Sequence, residues 1–288
     1  MELKAKLTRN NQPKTLSYHY QKLAGGRMIG ELLVVGYVLI ALAVGVSVFL
    51  KTLSWLSETD RAIFPLPLRS VVGWGILAFL VALTLEGLAL YPFWGTPTAL
   101  LILALVVGPI EEGAKLIPFI AKKDESVLTR WHLTIKTALA FGFIEAVMYF
   151  ILLVSMGNLI GALFRTIVIM FHVAWTAIAL EEALRGSLAR GYLKASIIHS
   201  LYDAPLLLLY TSGALAGVVA LVSVVVLVYL HNSVDGAFEF AVSYARKAVA
   251  RRSDVDNAEE YSEETPMENG ERAENKEEED SWELTSSP

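Results

Sequence analysis

The sequence contains no cysteine among its 288 residues. This absence excludes disulfide bonds, thiolate metal sites and cysteine nucleophiles. Charged residues are also scarce, at 18% of the chain, whereas 55% of the residues are hydrophobic. Soluble globular domains carry about 25% charged residues. The composition is therefore typical of an integral membrane protein, with the lipid bilayer as a partner and no nucleic acid.

The first long apolar run follows a hydrophilic segment and is too long for the core of a cleaved signal peptide. It covers about 22 residues, and no A-x-A-like cleavage site comes after it. We therefore interpret it as a retained span. Six more apolar runs of about 20 residues follow, each long enough to cross a bilayer. The seven predicted spans are 29–50, 70–92, 98–121, 133–154, 159–180, 191–210 and 212–231.

These spans predict an all-α fold, a polytopic membrane helix bundle of about seven transmembrane helices. The expected organisation is a basic N-terminal segment at 1–28, a transmembrane domain at 29–245 and a basic, then acidic, tail at 246–288. From Asp254 to the end the tail carries 14 acidic residues against 2 basic ones and has almost no apolar content. Such a composition predicts a disordered acidic tail.

Positive charge alternates between the connections of the predicted spans. The connections 51–69, 122–132 and 181–194 each carry three Lys or Arg residues, whereas 93–97 and 155–158 carry none. The positive-inside rule places the basic connections and the C-terminus in the cytoplasm and the N-terminus on the opposite side. We expect this orientation in a prokaryotic plasma membrane.

Ionisable side chains inside several spans are the candidates for function. Each costs about 2.5–3.5 kcal/mol at the bilayer centre, so such residues are rare without a role. Counted from the cytoplasmic end of each span at about 1.5 Å per residue, Glu111 lies about 15 Å deep, Glu145 about 18 Å, and His172 and His199 about 12 Å. Asp203 follows His199 one turn deeper on the same helix face. We therefore expect four helices to line one polar cavity.

Spacing within the helices indicates how neighbouring polar residues divide their roles. Glu111 and Glu112 project about 100° apart on a helix, so both cannot face the same centre. We expect one of them to face the reaction and the other to brace helix packing through Lys115. The i,i+4 spacing of His199 and Asp203 places the carboxylate where it can orient the imidazole.

Several protease motifs are missing from the sequence, which leaves a glutamate and histidine site acting on water. There is no H-E-x-x-H, no G-x-S-x-G elbow and no G-x-G-D motif. In order along the chain stand E-E-x-x-K at 111–115, F-x-x-x-E ending at Glu145, the apolar-flanked His172 and H-x-x-x-D at 199–203. This set resembles the PrsW family of membrane-embedded proteases and, more distantly, the CAAX prenyl endopeptidase and Abi-type bacteriocin-processing superfamily.

The resemblance covers roughly residues 30–210 and implies an intramembrane endopeptidase that cleaves a membrane-anchored protein. It implies that Glu111 activates water and that His199 stabilises the oxyanion or transfers a proton. The CAAX relatives have histidine where this chain has Glu145, and this departure keeps a divalent metal such as zinc open. The expected catalytic residues are Glu111, Glu112, Glu145, His172, His199 and Asp203, supported by Lys115. The expected metal ligands are Glu112, Glu145, His172 and His199.

Two other classes of function remain open from the sequence. Intramembrane Glu, His and Asp residues also form the relays of proton- or ion-coupled transporters. Many transporters contain internal repeats, and no convincing repeat is present here. A non-catalytic membrane binding protein could keep the same fold.

Overall fold

The computed structural model describes residues 14–63 and 66–263, and it describes side chains for 28–63 and 66–250. Regular structure in these residues is helical throughout, with eight α-helices and one short 3-10 helix. The α-helices are α1 (Lys14–Ala62), α2 (Leu68–Leu90), α3 (Pro97–Lys115), α4 (Ile117–Ala121), α5 (Val127–Ser155), α6 (Leu159–Leu184), α7 (Leu188–Leu209) and α8 (Gly213–Glu263). The 3-10 helix is Tyr91–Phe93, between α2 and α3.

Six helices in the described part of the chain are long and apolar enough to cross a membrane, namely α1, α2, α3, α5, α6 and α8. The predicted polytopic helical bundle is thus confirmed. The predicted span 191–210 also forms a helix, α7, but it is not among these six. Its lower apolar content arises from polar residues, including His199 and Asp203, which face the interior of the bundle.

Two helices extend beyond their predicted spans. Helix α1 continues to Ala62, where the sequence predicts a loop from residue 51, and it begins inside the hydrophilic N-terminal segment. Helix α8 continues through 246–263, where the sequence predicts the start of a disordered tail. Residues 246–263 are rich in Ala, Arg and Glu and contain no Gly or Pro, so helix is favoured there. Residues 1–13 and the remaining acidic tail, 264–288, lie outside the described residues.

The chain divides into two compact units, one ending at Arg246 and the other beginning at Lys247. Helix α6 lies at the centre of the first unit and packs against α1, α5 and α7. Every residue from 170 to 180 of α6 is buried. A helix that is buried on all sides has no face in contact with lipid or water. Polar residues of α6 must therefore find their partners on neighbouring helices.

Glycines let the helices around α7 approach closely. A Cβ atom at Gly108 of α3 would lie 2.2 Å from the backbone oxygen of Ser196 on α7. A Cβ atom at Gly191 of α7 would lie 2.0 Å from the backbone oxygen of Ala179 on α6. Small residues of this kind are typical of helix interfaces in membranes. These glycines bring α3, α6 and α7 close together.

Pro205 interrupts the hydrogen bonding of α7, because proline has no backbone N–H to donate to the preceding turn. Side chains of two other helices donate to carbonyls of that turn. The hydroxyl of Tyr37 on α1 donates to the Tyr202 carbonyl, and the hydroxyl of Ser223 on α8 donates to the Leu201 carbonyl. These bonds satisfy backbone groups inside the membrane domain and tie α7 to α1 and α8.

We expect Gly108→Ala to destabilise the protein by about 1–3 kcal/mol, the usual cost of overpacking a close contact. The new methyl group would meet a backbone oxygen that cannot move aside easily. Gly87→Ala on α2 is the matched control, since nothing lies within 4 Å of its added Cβ. Thermal unfolding in detergent compares the two variants. A Gly108→Ala protein as stable as Gly87→Ala would contradict the close packing of α3 against α7.

Candidate active site

Glu111 stands where α3, α6 and α7 meet. It is 5% exposed, and its Oε2 atom lies 3.6 Å from His172 Nδ1 and 3.8 Å from His199 Nε2. This oxygen is buried and has no hydrogen-bond donor among the described residues. Three polar groups from three helices therefore converge on one point, and the carboxylate oxygen at that point has no hydrogen-bond partner among the described residues.

Glu112, although adjacent in sequence, has a different environment. Its Oε1 atom accepts a hydrogen bond from Lys115 Nζ at 2.6 Å and lies 2.8 Å from His199 Nδ1. Its Oε2 atom accepts from the hydroxyl of Thr176 at 3.5 Å. Lys115 Nζ is 4.0 Å from Glu111 Oε2. The buried lysine is thus paired with Glu112, while Glu111 faces the two histidines.

His172 is held between two carboxylates. Its Nδ1 atom faces Glu111, and its Nε2 atom lies 2.6 Å from Glu145 Oε2 on α5. Glu145 Oε1 is in turn 3.6 Å from Arg165 Nη1. The guanidinium group of Arg165 stacks 3.8 Å from the ring centroid of Tyr149. The chain of contacts fixes the His172 ring from the side opposite Glu111.

His199 is also fixed on several sides. Its Nε2 atom lies 3.2 Å from Asp203 Oδ2, the contact that the i,i+4 spacing predicts. Its Nδ1 atom contacts Glu112, and its ring stacks on Trp175 with centroids 3.9 Å apart and planes 19° apart. The imidazole is therefore oriented by carboxylates at its two ring nitrogens and by an aromatic ring on its face.

The structure brings together every site residue predicted from the sequence. The residues that could bind a metal ion, however, differ from the expected ligand set. Ligand atoms of Glu111, His172 and His199 all lie within 4.8 Å of one another. The expected ligand set instead contains Glu112 and Glu145. In the structure these two carboxylates contact the outer ring nitrogens of the histidines.

The donor set fits a divalent metal ion. Two imidazole nitrogens and one carboxylate oxygen form a known ligand set of catalytic zinc. Carboxylates on the second nitrogen of each histidine are the usual way in which metal-binding rings are oriented. The unpartnered Oε2 atom of Glu111 also fits a cation at this point. Lys115 Nζ, 3.0 Å from His172 Nδ1, competes for that nitrogen but is already held by Glu112.

Two contributors to the site carry no motif in the sequence. Thr176 donates to Glu112, and Tyr149 supports Arg165. Helical spacing is the signal that could have found them. Thr176 lies four residues after His172, and Tyr149 lies four residues after Glu145, so each pair shares a helix face.

A cavity of about 120 Å³ leads to Glu111. This volume holds several water molecules. Its polar walls are formed by Glu86, Glu111, Glu145, Tyr149, Arg165 and Asp203. At about 1.5 Å per residue, Glu86, Arg165 and Asp203 lie only about 6–9 Å from the ends of their helices. The cavity therefore extends from the end of the bundle with the uncharged connections towards the buried histidines.

Apolar helices around a buried Glu/His/His group define this chain as an integral membrane protein with a candidate metal centre in its helical bundle. A family model described as PrsW family intramembrane metalloprotease matches residues 66–230, more than half of the chain. The chain belongs to this family, and the resemblance seen in its motifs is confirmed. No curated protein and no solved structure matches the chain. The more distant likeness to CAAX and Abi-type proteins stays a prediction.

Proposed function

We propose that the protein hydrolyses a peptide bond of a membrane-anchored protein and that Glu111 acts on the attacking water. The observation that carries this proposal is the buried Oε2 atom of Glu111, which faces two histidines and has no donor among the described residues. An unpartnered carboxylate is costly inside a membrane bundle. The adjoining cavity gives water and substrate access to it. Membership of a protease family favours this function over transport or binding alone.

Glu111, His172 and His199 would hold the metal ion, and zinc suits this donor set. When bound, such an ion supplies Lewis-acid polarisation of the scissile carbonyl. Glu145 orients His172, and Glu112 orients His199. Because His199 Nε2 faces Glu111, we assign His199 to the metal and not to the oxyanion role that the resemblance implies. Asp203 Oδ2 lies 3.2 Å from the same nitrogen and would release it when the ion binds.

The proton transfers are assigned to Glu111. Its carboxylate accepts a proton from water as the water oxygen bonds to the scissile carbonyl carbon. The same carboxyl then gives that proton to the amide nitrogen as the C–N bond breaks. The products are a new carboxyl terminus and a new amine. The aromatic rings of Phe141 and Trp175 pack around the histidines and limit bulk water at this point.

Purified protein in nanodiscs, tested on a panel of single-span substrates, checks the proposal. We expect the wild-type protein to cleave at least one substrate and His172→Ala to lose about 100-fold or more in rate. His231→Ala is the matched control, since His231 contacts Ser47 between α8 and α1, outside the site. Thermal unfolding shows whether each variant is folded. Undiminished cleavage by folded His172→Ala would contradict the proposal.

A further inference from the structure

Glu86 on α2 is a carboxylate of the cavity for which the proposed mechanism has no use. Its Oε1 atom is buried and has no hydrogen-bond partner among the described residues. It lines the same cavity as Glu111. Two other carboxylates of this cavity have partners, since Glu145 contacts Arg165 and Asp203 contacts His199. Glu86 therefore faces the space that a substrate would occupy. Its Oε1 atom accepts no hydrogen bond from the described residues.

The charge of the cavity favours a cation next to Glu86. Its walls carry four carboxylates against the single guanidinium group of Arg165. The apolar side chains of Phe79, Leu83 and Leu103 line the same cavity. Lysine and arginine bury an aliphatic stem along apolar surface while their charged group reaches a polar partner. The cavity thus matches both parts of a basic side chain.

The positions of Glu86 and Glu111 along their helices set the order in which a substrate meets them. Helices α2 and α3 are joined by residues 91–96, so the end of α2 and the start of α3 lie at the same end of the bundle. At about 1.5 Å per residue, Glu86 lies about 6 Å from the end of α2, whereas Glu111 lies about 21 Å from the start of α3. A substrate that enters from this end therefore meets Glu86 before Glu111.

We propose that Glu86 binds a Lys or Arg side chain of the substrate, between the scissile bond and the end of the bundle with the uncharged connections. This inference rests on the proposed function and names the substrate class of that site. The substrates are membrane-anchored proteins with a basic residue near the end of the span that enters the cavity. The carboxylate of Glu86 pairs with the ammonium or guanidinium group, and Glu111 meets the bond deeper in the bundle.

Peptide binding tests this inference separately from catalysis. The probes are synthetic single-span peptides of about 20 leucine and alanine residues. Each carries lysine, norleucine or glutamate at one position, moved through the last two turns of the span. They are titrated against the non-cleaving Glu111→Gln protein in nanodiscs, alone and combined with Glu86→Gln or Glu86→Lys. Glu239→Lys is the matched control, because Glu239 is exposed on α8.

We expect the lysine peptide to bind about tenfold or more tightly than the norleucine peptide. Glu86→Gln should abolish this difference, Glu86→Lys should reverse it in favour of the glutamate peptide, and Glu239→Lys should leave it unchanged. A lysine preference that survives Glu86→Gln, equal binding of lysine and norleucine peptides, or no binding of either would overturn the inference. Cleavage of the same peptides by the wild-type protein tests the proposed function independently.

Discussion

Glu111→Gln is expected to lower the rate of substrate cleavage by about 10²–10⁴-fold, the range of a general base contribution, without destabilising the fold. The amide keeps the size of the side chain, but it cannot accept a proton from water and is a weaker metal ligand than the carboxylate. No hydrogen bond of the buried Oε2 atom is lost, because that atom has no donor among the described residues. Cleavage assays and thermal unfolding of the same preparation measure both effects.

The adjacent residue gives the matched comparison. Glu112→Gln removes the charge that holds the buried ammonium group of Lys115. We therefore expect its main effect to be a lower free energy of unfolding. The two neighbouring substitutions are therefore expected to separate catalysis from folding. Glu111→Gln with wild-type activity, or Glu111→Gln that unfolds as easily as Glu112→Gln, would contradict the different roles assigned to the two glutamates.

Lys115→Met is expected to cost about 3–5 kcal/mol of unfolding free energy, the usual effect of breaking a buried ion pair. The side chains of Lys115 and Glu112 are both fully buried, and 2.6 Å separates Nζ from Oε1. Removing the ammonium group leaves the Glu112 carboxylate without its cationic partner inside the membrane domain. Chemical or thermal unfolding in detergent measures the loss.

A more exposed pair and a double substitution control this prediction. Lys51 Nζ lies 2.7 Å from Asp235 Oδ2, a similar distance, but the two side chains are 28% and 45% exposed. Lys51→Met should therefore cost only about 0–1 kcal/mol. Lys115→Met combined with Glu112→Gln should recover part of the stability, because neither partner then remains charged and unpaired. Equal losses of unfolding free energy for Lys115→Met and Lys51→Met would contradict the prediction that burial of the ion pair sets the cost of breaking it.

The depth of the site residues could be predicted because it depends only on position along a helix. A constant rise per residue places Glu111, Glu145, His172 and His199 in one layer whatever the packing of the bundle. The pairing of His199 with Asp203 follows from i,i+4 spacing in the same way. Helical periodicity was therefore sufficient to predict the helical bundle and the residues that lie together around Glu111.

The directions of the side chains could not be predicted, because they depend on how each helix is rotated against its neighbours. The 100° between Glu111 and Glu112 shows that they differ but not which of them faces the histidines. For this reason the expected ligand set contains Glu112, whereas in the structure it is Glu111 whose oxygen faces both histidines within 4.8 Å. The position of Glu86 in the cavity likewise depends on packing between α2 and α3, which no spacing within α2 reveals.

The metal centre of Glu111, His172 and His199 is tested most directly by elemental analysis of the purified protein. The wild-type protein and Glu239→Gln should each contain a stoichiometric amount of a divalent metal, with zinc expected. His172→Ala and His199→Ala should contain almost none while remaining folded by thermal unfolding. A wild-type protein free of divalent metal, or folded histidine variants with the full wild-type metal content, would contradict a metal centre formed by these three residues.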